Sequence, residues 1–212
     1  MLTIPVYNEA GDKVGSEELD PKLLGGEPNL ALLKQAVVMY RANRRQGTAA
    51  TKSRGMIEGS TKKIYKQKGT GRARMGNSRQ PVRRGGGHAF RKDPRDFGHA
   101  MPKKMKRLAR NHAILVRLQG EGAGILDALS FDAPKTKRLA TMFGKLGVTK
   151  GCVLATKGMD VNLYKSSRNL QTADVVDVAE LNAESVLRRG RLLFTRDAFK
   201  AFKDGLAGTA KA

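Results

Sequence analysis

The stretch that decides the organisation of this 212-residue chain is Lys62-Lys63-Ile64-Tyr65-Lys66-Gln67-Lys68-Gly69-Thr70-Gly71-Arg72-Ala73-Arg74. From residue 59 to residue 92 the sequence holds eleven Lys and Arg and no Asp or Glu. Its few apolar residues follow neither a strand period nor a helix period, so no face emerges that could be buried in a core. Burial therefore does not offset about 1–2 kcal/mol of backbone entropy per ordered residue. We expect a polyanion to order this segment. A disordered basic linker is the alternative, although linkers rarely interleave Tyr and Phe with so many cations.

The positive charge is concentrated in one part of the chain. Residues 41–110 hold 22 Lys and Arg against 3 Asp and Glu, whereas residues 1–40 have a net charge of −3 and the whole chain has +22. Such a patch indicates a nucleic acid or an anionic membrane surface as the partner. A membrane-surface helix needs a basic face opposite an apolar one. The basic stretch has neither helical periodicity nor Trp, so nucleic acid is favoured.

Outside this stretch, helix and strand patterns alternate. We predict an edge strand and hairpin in residues 2–11, and strands at 125–129, 152–156, 175–178 and 192–195. Helices are predicted at 30–46, 101–119, 136–146, 161–167, 183–189 and 196–204, with Asn29, Asn182 and Thr195 as N-caps. This order is typical of an α/β fold with a mostly parallel open sheet flanked by helices. We divide the chain into a globular body (1–47 and 98–206), a long extended basic loop that protrudes from it (48–97), and a flexible tail (207–212).

Two helix ends carry many cations. The arginines of residues 41–45 suit the negative end of the first helix dipole and also begin the basic patch. Lys103, Lys104 and Arg107 crowd the start of the second helix, where each cation is unfavourable by about 0.3–1 kcal/mol. A bound phosphate would reverse that sign, so we predict a phosphate contact at this helix start.

The sequence offers little for catalysis. The segment from Gly69 to Arg74 lacks the last glycine of G-x-G-x-x-G and does not follow a predicted strand. Cys152 lies in an apolar strand pattern and is expected to be a buried thiol rather than a nucleophile. His88, His99 and His112 lack metal-binding spacing. We expect no enzyme, cofactor or metal site, and keep an α/β nucleotide enzyme as the minor alternative.

The cysteine count and the hydropathy of the sequence indicate where in the cell the protein is located. One cysteine excludes an internal disulfide. We find no signal-peptide pattern and no apolar run near 18 residues, and therefore expect a soluble intracellular protein without a membrane span.

RNA explains the remaining composition. Tyr65, Phe90 and arginine planes can stack on unpaired bases, and glycines let the backbone approach RNA closely. For the run Gly85 to Gly87, flexibility is the simpler interpretation than a phosphate cradle. No helix with a base-reading face is evident, so folded RNA is favoured over a DNA operator.

Several motifs are specific enough to indicate a family. They are residues 62–74, Ser78-Arg79-Gln80-Pro81, Arg84-Gly85-Gly86-Gly87 with Phe90, Pro94-Arg95-Asp96, Arg45-Gln46-Gly47-Thr48 with Lys52 and Arg54, and Ala133-Pro134-Lys135-Thr136-Lys137. With them the chain closely resembles large-subunit ribosomal protein four of the bacterial type, over nearly its whole length. Tyr65 stands where that family usually has Trp, and Arg91-Lys92-Asp93 stands where it commonly has Gly-Pro.

The resemblance implies a structural constituent of the large ribosomal subunit, in the cytoplasm. It implies a body on the outer face of the subunit and a loop that threads large-subunit rRNA to the constriction of the peptide exit tunnel. It places Lys68, Gly69, Thr70, Gly71 and Arg72 at the tunnel wall, near large-subunit protein twenty-two and, transiently, the nascent peptide. Neither a membrane nor a homo-oligomer is implied. Some family members also repress their own operon by binding leader mRNA, which is the alternative role.

We predict that eighteen side chains bind rRNA, in the basic loop and at the two helix ends. They are Arg41, Arg44, Arg45, Lys52, Arg54, Lys62, Lys63, Tyr65, Lys66, Lys68, Arg72, Arg74, Arg79, Arg83, Arg84, Lys103, Lys104 and Arg107. The loop is expected to be disordered in the free protein and to order inside rRNA early in assembly.

Overall fold

The computed structural model describes the backbone of residues 1–210 and the side chains of residues 1–206. The chain divides into two units. The first unit contains residues 1–41 and the described residues from 100 onward, and the second unit contains residues 42–99. No helix in the described part of the chain combines the length and the apolar character that crossing a membrane requires.

The first unit is built on a sheet of six strands, in the order β2-β1-β3-β6-β4-β5. The strands are β1 (Leu2–Tyr7), β2 (Lys13–Leu19), β3 (Ala123–Leu126), β4 (Cys152–Thr156), β5 (Ala173–Asp177) and β6 (Arg191–Thr195). β1 and β2 form an antiparallel hairpin, and every other pairing is parallel. The predicted α/β class with a mostly parallel sheet is confirmed. The prediction that the first strand lies at the edge is wrong, because β1 also pairs with β3 and leaves the edge to β2.

In the described part of the chain, six α-helices accompany the sheet. They are α1 (Leu30–Asn43), α2 (Lys103–Gln119), α3 (Thr136–Lys145), α4 (Val161–Ser167), α5 (Ala183–Arg188) and α6 (Arg196–Ala210), with short 3-10 turns at Pro21–Leu24 and Val178–Glu180. α1 ends before Arg44 and Arg45, so only Arg41 of the predicted arginines lies in its last turn. α6 continues beyond residue 204, where we expected it to end, and the last two residues of the predicted tail lie outside the described residues.

Short polar side chains set the helix starts. The Oδ1 of Asn29 accepts a hydrogen bond from the Leu32 N–H at 3.0 Å. Asn182 and Ser185 form a reciprocal capping box at α5, and the Thr195 hydroxyl accepts from the Ala198 N–H at 3.4 Å. These bonds satisfy donors that a helix start leaves without an intrahelical partner, which confirms the three predicted caps.

The central strands β3, β4 and β6 are buried on both faces of the sheet. Alternate residues of a strand point to opposite faces. Thus Ile125 and Phe194 pack with α1, α2, α5 and α6, whereas Leu126 and Leu193 pack with α3 and α4. Cys152 is fully buried, as predicted, and desolvation raises the pKa of its thiol to about 12. Every residue described in these two apolar clusters belongs to the first unit.

Candidate nucleic-acid interface

The second unit has almost no regular secondary structure. Residues 44–102, all of them described, contain no helix and no strand apart from an isolated bridge between Ser53 and His88. Residues 42–99 hold sixteen Lys and Arg and three acidic residues. This unit therefore combines a high positive charge with an irregular backbone.

Backbone hydrogen bonds join the two arms of the loop. The Thr51 N–H donates to the Lys92 carbonyl at 2.9 Å, and the Lys92 N–H returns a bond to the Thr51 hydroxyl at 2.7 Å. Further along, the His88 N–H donates to the Lys52 carbonyl at 2.9 Å. The arms that flank the most basic stretch are thus held side by side.

An aromatic ring fixes the base of the loop. The guanidinium carbons of Arg45 and Arg95 lie 3.7 Å and 4.2 Å from the centroid of the Phe97 ring. Each cation is attracted by the ring quadrupole, which offsets their mutual repulsion. Gly47 (φ +66°) lies opposite, and a Cβ there would meet the Arg95 carbonyl oxygen at 2.0 Å. Neither Phe97 nor Arg95 is among the predicted rRNA contacts, although Arg95 belongs to the motif Pro94-Arg95-Asp96.

Two of the three glycines in the run from Gly85 to Gly87 allow a close approach of two chain segments. A Cβ on Gly86 would lie 1.9 Å from the Gln80 carbonyl oxygen, and one on Gly87 would lie 2.2 Å from the Arg54 nitrogen. The Gly87 N–H donates to the Arg79 carbonyl at 3.1 Å. Close backbone approach therefore accounts for glycine at Gly86 and Gly87, where no side chain would fit, whereas Gly85 (φ +78°) has open space around it. The predicted flexibility of the run stays a prediction.

The predicted tip forms a closed turn. The Ile64 N–H donates to the Gly76 carbonyl at 3.0 Å, and the Tyr65 hydroxyl donates to the Ala73 carbonyl. Between these contacts, residues 68–72 are all exposed. Gly69 and Gly71 have φ of +81° and +66°, a conformation that favours glycine.

The predicted rRNA contacts fall in both units. Fourteen of the eighteen lie in the second unit, while Arg41, Lys103, Lys104 and Arg107 belong to the first. Fifteen are exposed, and Tyr65, Arg79 and Arg83 are half-buried. The structure thus leaves most of these cations accessible to a polyanion.

No side chain among the described residues caps the start of α2. Pro102 occupies the N-cap position, and the first turn contains no acidic residue. Lys103 and Lys104 are exposed in this turn, and Arg107 is exposed directly after it. Uncapped N–H groups beside exposed cations form a surface suited to a phosphate.

Among the described residues, no three His, Cys, Asp or Glu side chains are grouped closely enough to hold a metal ion.

Comparisons with known proteins agree over both units. A sequence profile described as the ribosomal protein L4/L1 family matches residues 17–205. Large ribosomal subunit protein uL4 of Rhodopirellula baltica is 41% identical over 206 residues, which cover 97% of this chain and 93% of that protein. The protein of the same name from Dehalococcoides mccartyi is 40% identical over 203 residues (96% and 97%), and that from Desulforudis audaxviator is 41% identical over 207 residues (98% and 100%). The chain therefore belongs to the ribosomal protein L4/L1 family.

Proposed function

We propose that this protein binds large-subunit rRNA through the second unit and the start of α2. As a member of its family, the chain is a structural, non-enzymatic constituent of the large ribosomal subunit. Its location is the ribosome, which is cytoplasmic in bacteria.

The composition and backbone of the second unit carry the proposal. The three acidic residues of this unit cannot neutralise its sixteen Lys and Arg. In addition, no described apolar cluster includes a residue of this unit. Neutralising phosphates releases condensed counterions, which provides affinity independent of sequence. A folded RNA supplies the phosphate density that this unit needs to become fully ordered.

The closed turn supports a finer assignment. We infer that residues 68–72 line the constriction of the peptide exit tunnel, close to large-subunit protein twenty-two and the passing nascent peptide. All five residues are exposed, and Gly69 and Gly71 carry no side chain. A Cβ built on either glycine would have no atom within 4 Å beyond the neighbouring residues, so the turn is open to its surroundings. A small, exposed turn of this kind fits a narrow space between RNA walls.

Hydrogen exchange tests the proposed ordering of the loop in rRNA. Amides of residues 60–92 should exchange fast in the free protein and become strongly protected in the assembled subunit. The amides of β4 and β6, which lie inside the sheet, provide the internal reference because they should be protected in both states. Strong protection of residues 60–92 in the free protein would contradict the proposal.

The cations of the first unit favour a second candidate role, as a repressor that binds leader mRNA. Arg41 and the start of α2 belong to that unit rather than to the loop. A variant without residues 60–92 should then still bind leader RNA while it fails to enter subunits. Equal loss of both properties would argue against a separate regulatory surface.

A further inference from the structure

A cavity of about 850 Å³ in the first unit is lined mostly by cations. Its lining combines the segment that leads into α3, α3 itself and α4. Six cations take part, namely Lys135, Lys137, Arg138, Lys145, Lys165 and Arg168, and the acidic residue of the lining is Glu9. None of these six was among the predicted rRNA contacts, although two belong to the motif at residues 133–137.

A buried hydrogen-bond network fixes the walls of this cationic cavity. The Ser166 hydroxyl is fully buried; it accepts from the Lys135 N–H at 2.9 Å and donates to the Asn162 carbonyl at 2.7 Å. The Asn162 side-chain amide donates to the Phe131 carbonyl at 2.9 Å. These bonds tie the entrance of α3 to α4, so the backbone positions that carry the cations of both elements are held in a fixed relation.

Most of the charge in the cavity is uncompensated. Arg138 is occupied, because it pairs with Glu9, donates to the Ser130 carbonyl at 3.1 Å and lies over the Phe131 ring. The other five cations form no ion pair with a carboxylate in the described part of the chain. All five side chains are exposed. Like charges collected in one concavity repel each other, and a polyanion would remove that cost.

We propose that the cationic cavity binds a phosphate-backbone segment of RNA, as a contact separate from the basic loop. This inference rests on the proposed rRNA-binding function. Among the described residues that line the cavity, none is an aromatic residue on which a base could stack, so recognition runs through phosphates rather than bases. Lysine is a compact cation that binds phosphate oxygens as a point charge, and four of the six cations are lysines.

The test compares two full-length variants with the same change of charge. The cavity variant carries Lys135→Glu, Lys165→Glu and Arg168→Glu. The control variant carries Lys13→Glu, Lys34→Glu and Lys200→Glu, three exposed positions outside the cavity. Affinity for a large-subunit rRNA transcript is measured over a series of salt concentrations, and thermal unfolding checks that both variants fold.

The expected result is a selective loss in the cavity variant. Its affinity at about 0.15 M salt should be about 10-fold lower than that of the control, and the slope of log affinity against log salt should be shallower by about 2. Equal affinities and slopes for the two variants would overturn the inference. Labelled ATP provides a second outcome against the inference. If the unaltered protein and the control variant bind ATP saturably, and the cavity variant loses ATP binding but keeps the rRNA affinity of the control, the cavity belongs to a small phosphate ligand.

A third variant separates this inference from the function on which it rests. Lys62→Glu with Lys63→Glu and Lys66→Glu removes charge from the basic loop. If this variant binds rRNA weakly while the cavity variant matches its control, the cavity inference alone fails. If the unaltered protein shows no affinity for rRNA, both the proposed function and the cavity inference fail.

Discussion

Asp174 is a single carboxylate shared by two arginines. Its Oδ2 accepts from Arg188 Nη2 at 2.6 Å and from Arg189 Nε at 2.7 Å, and its Oδ1 accepts from Arg189 Nη2 at 2.9 Å. The hydrogen bonds from Arg189, and secondarily those from Arg188, hold the pKa of this carboxyl below its usual value, although partial burial opposes them. The cluster links the first residues of β5 to the end of α5.

Asp174→Asn should lower the free energy of unfolding at pH 7 by about 1–2 kcal/mol, since it removes charge-assisted hydrogen bonds. A lowered pKa stabilises the fold above the pKa of the unfolded carboxyl, about 3.9, and this contribution is lost as the pH falls through the folded value. Urea unfolding from pH 7 to pH 3 should therefore show that the difference in the free energy of unfolding between the unaltered protein and Asp174→Asn decreases in acid. Asp132→Asn, at an exposed position, is the control, and a difference that stays constant would contradict this assignment.

His112 is a buried histidine with one satisfied nitrogen. Its Nδ1 accepts from the Asn29 N–H at 3.1 Å, which assigns the proton of the neutral ring to Nε2. Among the described residues Nε2 finds no hydrogen-bond partner, and a Cβ on Gly25 would lie 2.5 Å from it. Desolvation lowers the pKa of His112, so the neutral ring belongs to the folded state.

Stability should consequently decrease in weak acid. With a folded pKa below the unfolded value of about 6.5, the unfolded chain binds the proton first, and stability is lost as the pH falls below that value. Urea midpoints between pH 7.5 and pH 5 should show this decrease, and His112→Gln should flatten it. If His112→Gln shows the same decrease of the urea midpoint with pH as the unaltered protein, another group is responsible for it. The control variant is His88→Gln, because His88 is exposed.

At the scale of elements, the first turn of α2 is unfavourable in isolation. This turn holds the exposed Lys103 and Lys104, the half-buried Lys106 and no acidic residue, at the positive end of the helix dipole. Lys103→Glu with Lys104→Glu should raise the free energy of unfolding of the free protein by about 0.3–1 kcal/mol per substitution. The same variant should bind large-subunit rRNA more weakly.

A variant that is more stable but binds rRNA more weakly would show that the lysines at this helix start serve binding rather than stability. Lys200→Glu with Lys34→Glu is the matched control, because it makes the same change of charge at exposed positions of other helices. Unchanged RNA affinity in the α2 variant would remove this helix start from the interface.

Sequence alone predicted the features that depend on neighbouring residues. The caps at Asn29 and Asn182 follow from side chains that bond the backbone three residues away, and β4 and α4 have the predicted bounds. The end of α1 was missed because Gly47 resembles a helix stop, whereas the structure uses it for close approach to Arg95.

What sequence could not predict depends on distant pairings. Buried parallel strands have similar apolar patterns, so their order in the sheet is not written in any one of them. In the candidate site, charge and exposure followed from composition. The contact of Arg45 with Phe97 required two arms that are joined only through a long intervening loop.

At the scale of the whole molecule, the two units have different sources of stability. The described apolar clusters belong to the first unit, so replacing residues 60–92 by a short Gly-Ser linker should leave its thermal unfolding midpoint nearly unchanged. The same replacement should abolish incorporation into large subunits. A linker of equal length to the removed segment controls for chain closure, and a large decrease in the midpoint with both linkers would show that the loop supports the body.

β6 is the last strand in the chain, yet it lies between β3 and β4 in the sheet. A polypeptide is synthesised from its first residue onward. Until residues 191–195 have emerged, the β1–β2–β3 half and the β4–β5 half have no strand to join them. The highly charged segment is therefore translated long before the sheet can close, and a nascent chain would present its cations to surrounding nucleic acid while the protein is still unfinished.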